Sequence, residues 1–93
     1  MDKSFYLISY DISDDRCRTR VAHALEGYGT RVQFSVFELW LNKAQLARLR
    51  KRLEKQIEAG GSVRIYMLCA ACQGARQVLG EGEPNDEVKL LVI

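Results

Sequence analysis

Apolar residues occupy both parities of Ser4-Phe5-Tyr6-Leu7-Ile8-Ser9-Tyr10, the pattern of a central strand covered on both faces. Beyond it, Cys17, Val21, Ala24, Leu25 and Tyr28 recur at helical spacing. Ser13 is the expected cap of that helix, Asp14 and Asp15 sit favourably against its dipole, and Gly27 and Gly29 bracket its end. Between Thr30 and Leu41 the pattern changes phase. Val32, Phe34 and Val36 share one parity while Phe37, Leu39 and Leu41 share the other, which no single straight strand can satisfy. A short strand, a bulge or reversal near Ser35, and a second strand reconcile them. Asn42 then caps a second helix with Gln45 at the capping-box position, and Leu46, Leu49, Leu53 and Ile57 form its apolar stripe. Gly60-Gly61 ends it, and Val63, Ile65 and Met67 alternate with Arg64, Tyr66 and Leu68 in a further strand.

The order strand, helix, strand, strand, helix, strand predicts an α+β, ferredoxin-like βαββαβ domain, an antiparallel sheet with both helices on one face. Gln77-Val78-Leu79 and Val88 to Ile93 read as extra strand-like pieces beyond the minimal fold, suited to edge pairing with a second subunit. The expected organisation is one domain over residues 1–93, with a core at 1–69 and a C-terminal extension at 70–93. So short a chain leaves apolar surface that a homodimer would bury.

Charge sharpens this picture. The net charge of +2 is unremarkable, but residues 1–76 carry 13 basic and 8 acidic groups, whereas residues 77–93 carry one lysine against four acids. The basic body is therefore the expected phosphate-facing part. Glu81 to Glu87, with the only proline at Pro84, reads as a solvated turn. No apolar run is long enough to span a bilayer, and the chain opens on a strand rather than a signal peptide, so a cytoplasmic protein is expected. Three cysteines, an odd number, fit a reducing compartment better than a disulfide framework.

Asp11 is the sharpest candidate for chemistry. A carboxylate at a strand end, followed by the arginine-rich Arg16-Cys17-Arg18-Thr19-Arg20, can hold a hard cation beside a phosphate. Mg2+, or Mn2+ in its place, needs few protein carboxylates when phosphate and water supply the rest, and its bound water would be the nucleophile. Asp11 can equally cap a turn, and Asp14 and Asp15 are the neighbouring alternatives. Two-fold symmetry would supply a second Asp11. Arg18 or Arg20 can reach a phosphate, or pair with Asp14, Asp15 or Glu26 on the surface. On the second helix Arg48, Lys51, Arg52 and Lys55 project together away from the apolar stripe, a basic face open to two readings: solvated, or set against a nucleic-acid backbone. Cys69-Ala70-Ala71-Cys72 has CxxC spacing, which Cys17 and His23 can in principle complete to four ligands; buried or half-buried small residues are the simpler account. No nucleophilic triad and no phosphate-cradling glycine motif is legible.

These residues are similar to one family, the Cas-two proteins of CRISPR adaptation. The likeness rests on YLISYDISDD, RTRVAHALEGYGTRVQFSVFE, LNKAQLARLRKRLEK and SVRIYMLCAAC, in order, over about four fifths of the chain. It implies a ferredoxin-like homodimer in which C-terminal strands complete the partner's sheet. It also implies a place at the centre of a complex with the Cas-one integrase, holding a protospacer duplex. It further implies, for some members, Mg-dependent endonuclease activity on single-stranded RNA or duplex DNA. Carried over residue by residue, the metal-binding acid is Asp11 with Tyr10 beside it. Arg18, Arg20 and Arg31 become phosphate-side groups, and Ser35 and Phe37 flank the strand reversal. The chain departs from the family in carrying Met67-Leu68 where a proline is more usual before the CAAC segment. From a different class, a non-enzymatic ferredoxin-like regulatory or small-ligand-binding module fits the same pattern of elements.

Overall fold

In the computed structural model, which describes residues 2–80, the expected elements appear as β1 (Ser4–Asp11), α1 (Asp15–Glu26), β2 (Gly29–Gln33), β3 (Val36–Leu41), α2 (Lys43–Gln56) and β4 (Ser62–Leu68). A short helix α3 (Ala70–Gly74) follows. The four strands form one antiparallel sheet in the order β2-β3-β1-β4, so each βαβ half has the other half's strand inserted between its own two.

Parity sorts the sheet into two faces. Tyr6, Ile8 and Tyr10 of β1 and Phe37, Leu39 and Leu41 of β3 are buried beneath the helices, where they meet Cys17, Val21, Ala24 and Leu25 of α1 and Leu49 and Leu53 of α2. Each such aliphatic side chain contributes roughly 1.5–3 kcal/mol relative to exposure. The opposite, open face carries Phe5, Leu7, Ser9 and Asp11 of β1, across from Leu68, Tyr66, Arg64 and Ser62 of β4. Phe5 is nonetheless only 2 % exposed. Trp40 meets it edge-on with ring centroids 4.9 Å apart, and the Arg76 guanidinium, paired with Glu38 at 3.2 Å, lies 4.6 Å from the Phe5 ring centre. The expectation that the first strand is covered on both faces thus holds only at Phe5, beneath the segment after α3; Leu7 and Ser9 are half-buried and Asp11 is exposed.

The phase change between Thr30 and Leu41 resolves as a hairpin turning at Phe34-Ser35, with a register shift between Arg31 and Gln33. Gly29 is the first residue of β2 rather than a helix bracket. A Cβ there would stand 2.5 Å from the Glu38 carbonyl oxygen and from Leu39 Cγ, so only glycine lets β2 approach β3. The α2 capping box forms as expected: Asn42 Oδ1 accepts from Gln45 N at 2.8 Å, and Gln45 Oε1 accepts from Asn42 N at 2.9 Å. Helix α1 starts one residue later than the sequence suggests. Its cap is Asp14, whose carboxylate accepts from Cys17 N at 2.8 Å, and Ser13 stays outside.

Gln77-Val78-Leu79 pairs with no strand of its own chain's sheet, and residues 70–74 of the C-terminal extension form α3. One further expectation is revised, that of the cysteines. Cys69 and Cys72 are exposed rather than buried, since the chain leaves the sheet at Leu68, while Cys17 is buried with Sγ donating to Gln56 O at 2.8 Å. The acidic turn at 81–87 and the segment 88–93, with its expected pairing to a partner's sheet, lie outside the described residues. No helix among the described residues is long and apolar enough to cross a membrane.

Candidate metal and nucleic-acid sites

Asp11 ends the central strand with its side chain on the open face. Its strand parity is that of Ser9, and Ser62 stands opposite it on β4. Ser9, Tyr10, Asp11, Ser35, Ser62 and Arg64 line a concavity of about 300 Å³. Three hydroxyls and a carboxylate are hard oxygen donors of the kind Mg2+ or Mn2+ takes, and the guanidinium suits the phosphate that would complete the coordination. No group of three or more His, Cys, Asp or Glu that could hold a metal exists among the described residues. The donor set of one chain therefore fits an ion held by a single carboxylate, with phosphate, water or a second chain supplying the rest.

The neighbouring acids are engaged elsewhere. Asp14 caps α1, and Asp15 pairs with Arg18. Arg18 also donates from Nη1 to the carbonyls of Ile12 and Ser13 at 3.0 and 3.2 Å, which ties the β1–α1 loop to α1. Of the acids considered as its surface partners, Arg18 pairs with Asp15. Tyr10 points to the helix face, 5 % exposed, with its ring tilted against Phe37 at 6.4 Å. Its hydroxyl donates to the Phe34 carbonyl at 3.3 Å. Arg31 donates to that same carbonyl from Nε and Nη2 at 3.0 and 2.7 Å, and its guanidinium lies over Phe34 and Phe37.

The predicted residues therefore separate into several places. Asp11 and Ser35 share the open-face concavity. Arg18 and Arg31 line a groove of about 250 Å³ with Thr19, Ala22, His23, Glu26 and Phe34, between α1 and the hairpin. Phe37 is buried beneath that hairpin. Arg20 is exposed on α1, and Arg48, Lys51, Arg52 and Lys55 are all exposed on α2 and belong to none of the ion pairs formed among the described residues. The arginine that lines the concavity with Asp11 is thus Arg64, not one of the α1 arginines that follow Asp11 in sequence. Arg64, Ser9 and Ser62 were not singled out from the sequence. Their signal lies in the β1–β4 register, which sets Ser9 against Arg64 and Asp11 against Ser62.

Taken together, these elements define a ferredoxin-like α+β domain with an acidic, hydroxyl-lined concavity at the end of its central strand and a cationic outer helix. The chain belongs to the family of CRISPR associated protein Cas2, whose sequence profile matches residues 4–76. It is 49% identical over 84 residues to the CRISPR-associated endoribonuclease Cas2 1 of Chloroflexus aurantiacus, covering 88% of this chain and 90% of that one. Among solved structures it resembles a hypothetical protein from Thermus thermophilus, at TM-score 0.78 and 38% identity over 88% of this chain and 96% of that one. A chain of a partial Cas6-RT-Cas1–Cas2 complex matches at TM-score 0.78 and 25% identity, over 97% and 98% of the two chains.

Proposed function

We propose that this chain is a homodimeric subunit of CRISPR adaptation that binds protospacer duplex DNA with a Cas1 integrase and also cleaves phosphodiester bonds. The carrying observation is the concavity formed by Asp11, Ser9, Ser35, Ser62 and Arg64 in a Cas2 fold. The endoribonuclease name of the Chloroflexus relative supports cleavage, and the Cas1–Cas2 complex supports the integrase partner. Asp11 would hold Mg2+ or Mn2+, which when bound supplies Lewis-acid stabilisation of phosphate charge and a more acidic water. Arg64 would orient the phosphate, and the hydroxyls would fix the water positions around it. The basic face of α2, through Arg48, Lys51, Arg52 and Lys55, would carry backbone affinity, with Arg18 and Arg20 on α1 and Arg31 on β2 as further phosphate-side groups.

A second reading, a DNA-holding scaffold whose chemistry belongs to the integrase, draws on the α2 cations being on the helix layer while Asp11 is on the open face. One experiment separates the two. Purified protein is given single-stranded RNA and duplex DNA with Mg2+, with chelator, and as Asp11→Ala. The nuclease reading expects metal-dependent cleavage to fall at least 100-fold in Asp11→Ala, with duplex affinity unchanged within about twofold. Cleavage that persists in the variant overturns Asp11 as the metal ligand. Salt-sensitive binding without cleavage selects the scaffold.

A further inference from the structure

Phe34, at the tip of the hairpin between β2 and β3, is 72 % exposed, more than any other aromatic side chain among the described residues. Such tips ordinarily carry Gly, Asn, Asp or Ser, which suit a turn in water. The ring adds nothing to the core, which Phe37 of the same hairpin closes. Its backbone is nonetheless held firmly: the Phe34 carbonyl accepts from Arg31 Nε and Nη2 at 3.0 and 2.7 Å and from the Tyr10 hydroxyl at 3.3 Å. The Arg31 guanidinium also lies 5.4 Å from the Phe34 ring centre. A ligand that settled on this ring would not have to order the turn first.

Beside the ring is the groove of about 250 Å³ that Phe34 and Arg31 share with α1. Thr19, His23 and Glu26 lie one helical turn apart in succession, so a single edge of α1 forms its far wall. Its volume is below the roughly 300–1,000 Å³ of drug-sized pockets, which suits one planar ring better than a whole cofactor. Two guanidinium groups, of Arg18 and Arg31, border it against one carboxylate, that of Glu26. Arg18 is committed to Asp15 and to the Ile12 and Ser13 carbonyls. Arg31 Nη1 meets only Glu26 among the described residues, at 3.7 Å, with both side chains partly exposed. A pair beyond hydrogen-bond range and open to water contributes little, so a phosphate can take its place.

We propose that Phe34 is a stacking platform for an unpaired nucleobase, with Arg31 Nη1 taking the adjoining phosphate in the groove beside α1. Bases inside a duplex are already stacked on both faces, so an exposed ring gains a partner where the strand is single. Resting on the nucleic-acid-binding part of the proposed function, the site adds a place for single strand apart from the α2 cations. Ser35, the next residue along, lines the Asp11 concavity, so a strand seated on Phe34 lies beside the candidate metal site.

The test measures binding of the full chain by anisotropy in chelator, so that cleavage plays no part. The probes are a short labelled thymidine oligonucleotide, the same backbone with abasic sites in place of the bases, and a blunt duplex. Phe34→Ala should weaken binding of the thymidine strand roughly fivefold or more, change duplex affinity by less than about twofold, and leave abasic binding as it is in the native chain. Phe34→Tyr keeps the π-face and should bind as the native chain does, whereas Phe34→Leu keeps apolar bulk without it and should behave as the alanine variant. Glu26→Gln frees Arg31 and should tighten binding of the thymidine strand. Native-like binding by Phe34→Ala or Phe34→Leu, or no tightening in Glu26→Gln, would overturn the proposal. Equal losses for all three probes with a fall in sedimenting mass would overturn it too, and make Phe34 a contact with a second copy of the chain. A native chain that binds no probe would sink the nucleic-acid reading itself, whereas duplex binding with no effect at Phe34 would sink the stacking site alone.

Discussion

Arg31 donates Nε and Nη2 to the Phe34 carbonyl at 3.0 and 2.7 Å, and the Tyr10 hydroxyl reaches the same oxygen at 3.3 Å. A single carbonyl at the hairpin tip is therefore held by three donors from two strands. On the other side of the turn, Ser35 O accepts from Tyr10 N at 3.1 Å, which brings Ser35 to the rim of the Asp11 concavity. Resemblance assigned Arg31 to phosphate, but only Nη1, 3.7 Å from Glu26, points away from the hairpin. A phosphate contact at Arg31 must use that nitrogen or release the turn. Arg31→Lys keeps the charge and removes the forked donation, so it should lower stability by about 1 kcal/mol, discounted for partial exposure. Urea unfolding checks this. An unchanged midpoint would mean that the guanidinium serves only ligands and that the hairpin holds itself.

At the scale of the element, caps discriminate between what the sequence suggests and what the backbone does. Ser13, Asp14 and Asp15 are all good capping residues, and sequence offers no way to choose the residue at which the extended strand yields to helix. The structure selects Asp14, so Asp14→Ala should cost about 1 kcal/mol and Ser13→Ala less than about 0.5. Thermal unfolding of the two variants side by side checks it, and the reverse ranking would move the start of α1. The Asn42–Gln45 box, by contrast, was legible because only one capping residue precedes the Leu46-Leu49-Leu53 stripe. The same logic explains the rest. The strands and two long helices announced themselves through periods of two and 3.6, and the phase break at Ser35 gave the hairpin. Helix α3 did not, because five residues of alanine, cysteine, glutamine and glycine contain no apolar period. Gln77 to Leu79 is strand-like in composition yet joins no strand of its own chain, since composition cannot name the strand that would pair with it. Asp11 was legible as a strand-end acid, but Arg64 was not, because pairing between β1 and β4 is a property of the folded sheet.

Across the whole molecule the sheet separates two kinds of function. The acid, its hydroxyls and Arg64 lie on the open face, while Arg48, Lys51, Arg52 and Lys55 line the solvent side of α2, behind the core formed by Leu49 and Leu53. Chemistry and backbone affinity should then fail independently. Replacing all four α2 cations with alanine leaves Leu49 and Leu53 in place and favours helix propensity, so the fold should persist with its unfolding midpoint nearly unchanged. If those cations meet duplex phosphates, the slope of log affinity against log salt should become shallower by roughly 0.9 for each phosphate no longer neutralised, and affinity at low salt should fall by at least tenfold. Asp11→Ala should leave that slope as it is. Anisotropy titrations of one labelled duplex at four salt concentrations, for the native chain and both variants, measure all three slopes. A quadruple variant with the native slope would make the α2 face a solvated surface and shift the binding role to Arg20 and the groove between α1 and the hairpin. An Asp11→Ala slope that changed would instead join the acid to the binding surface and undo the separation between the two faces.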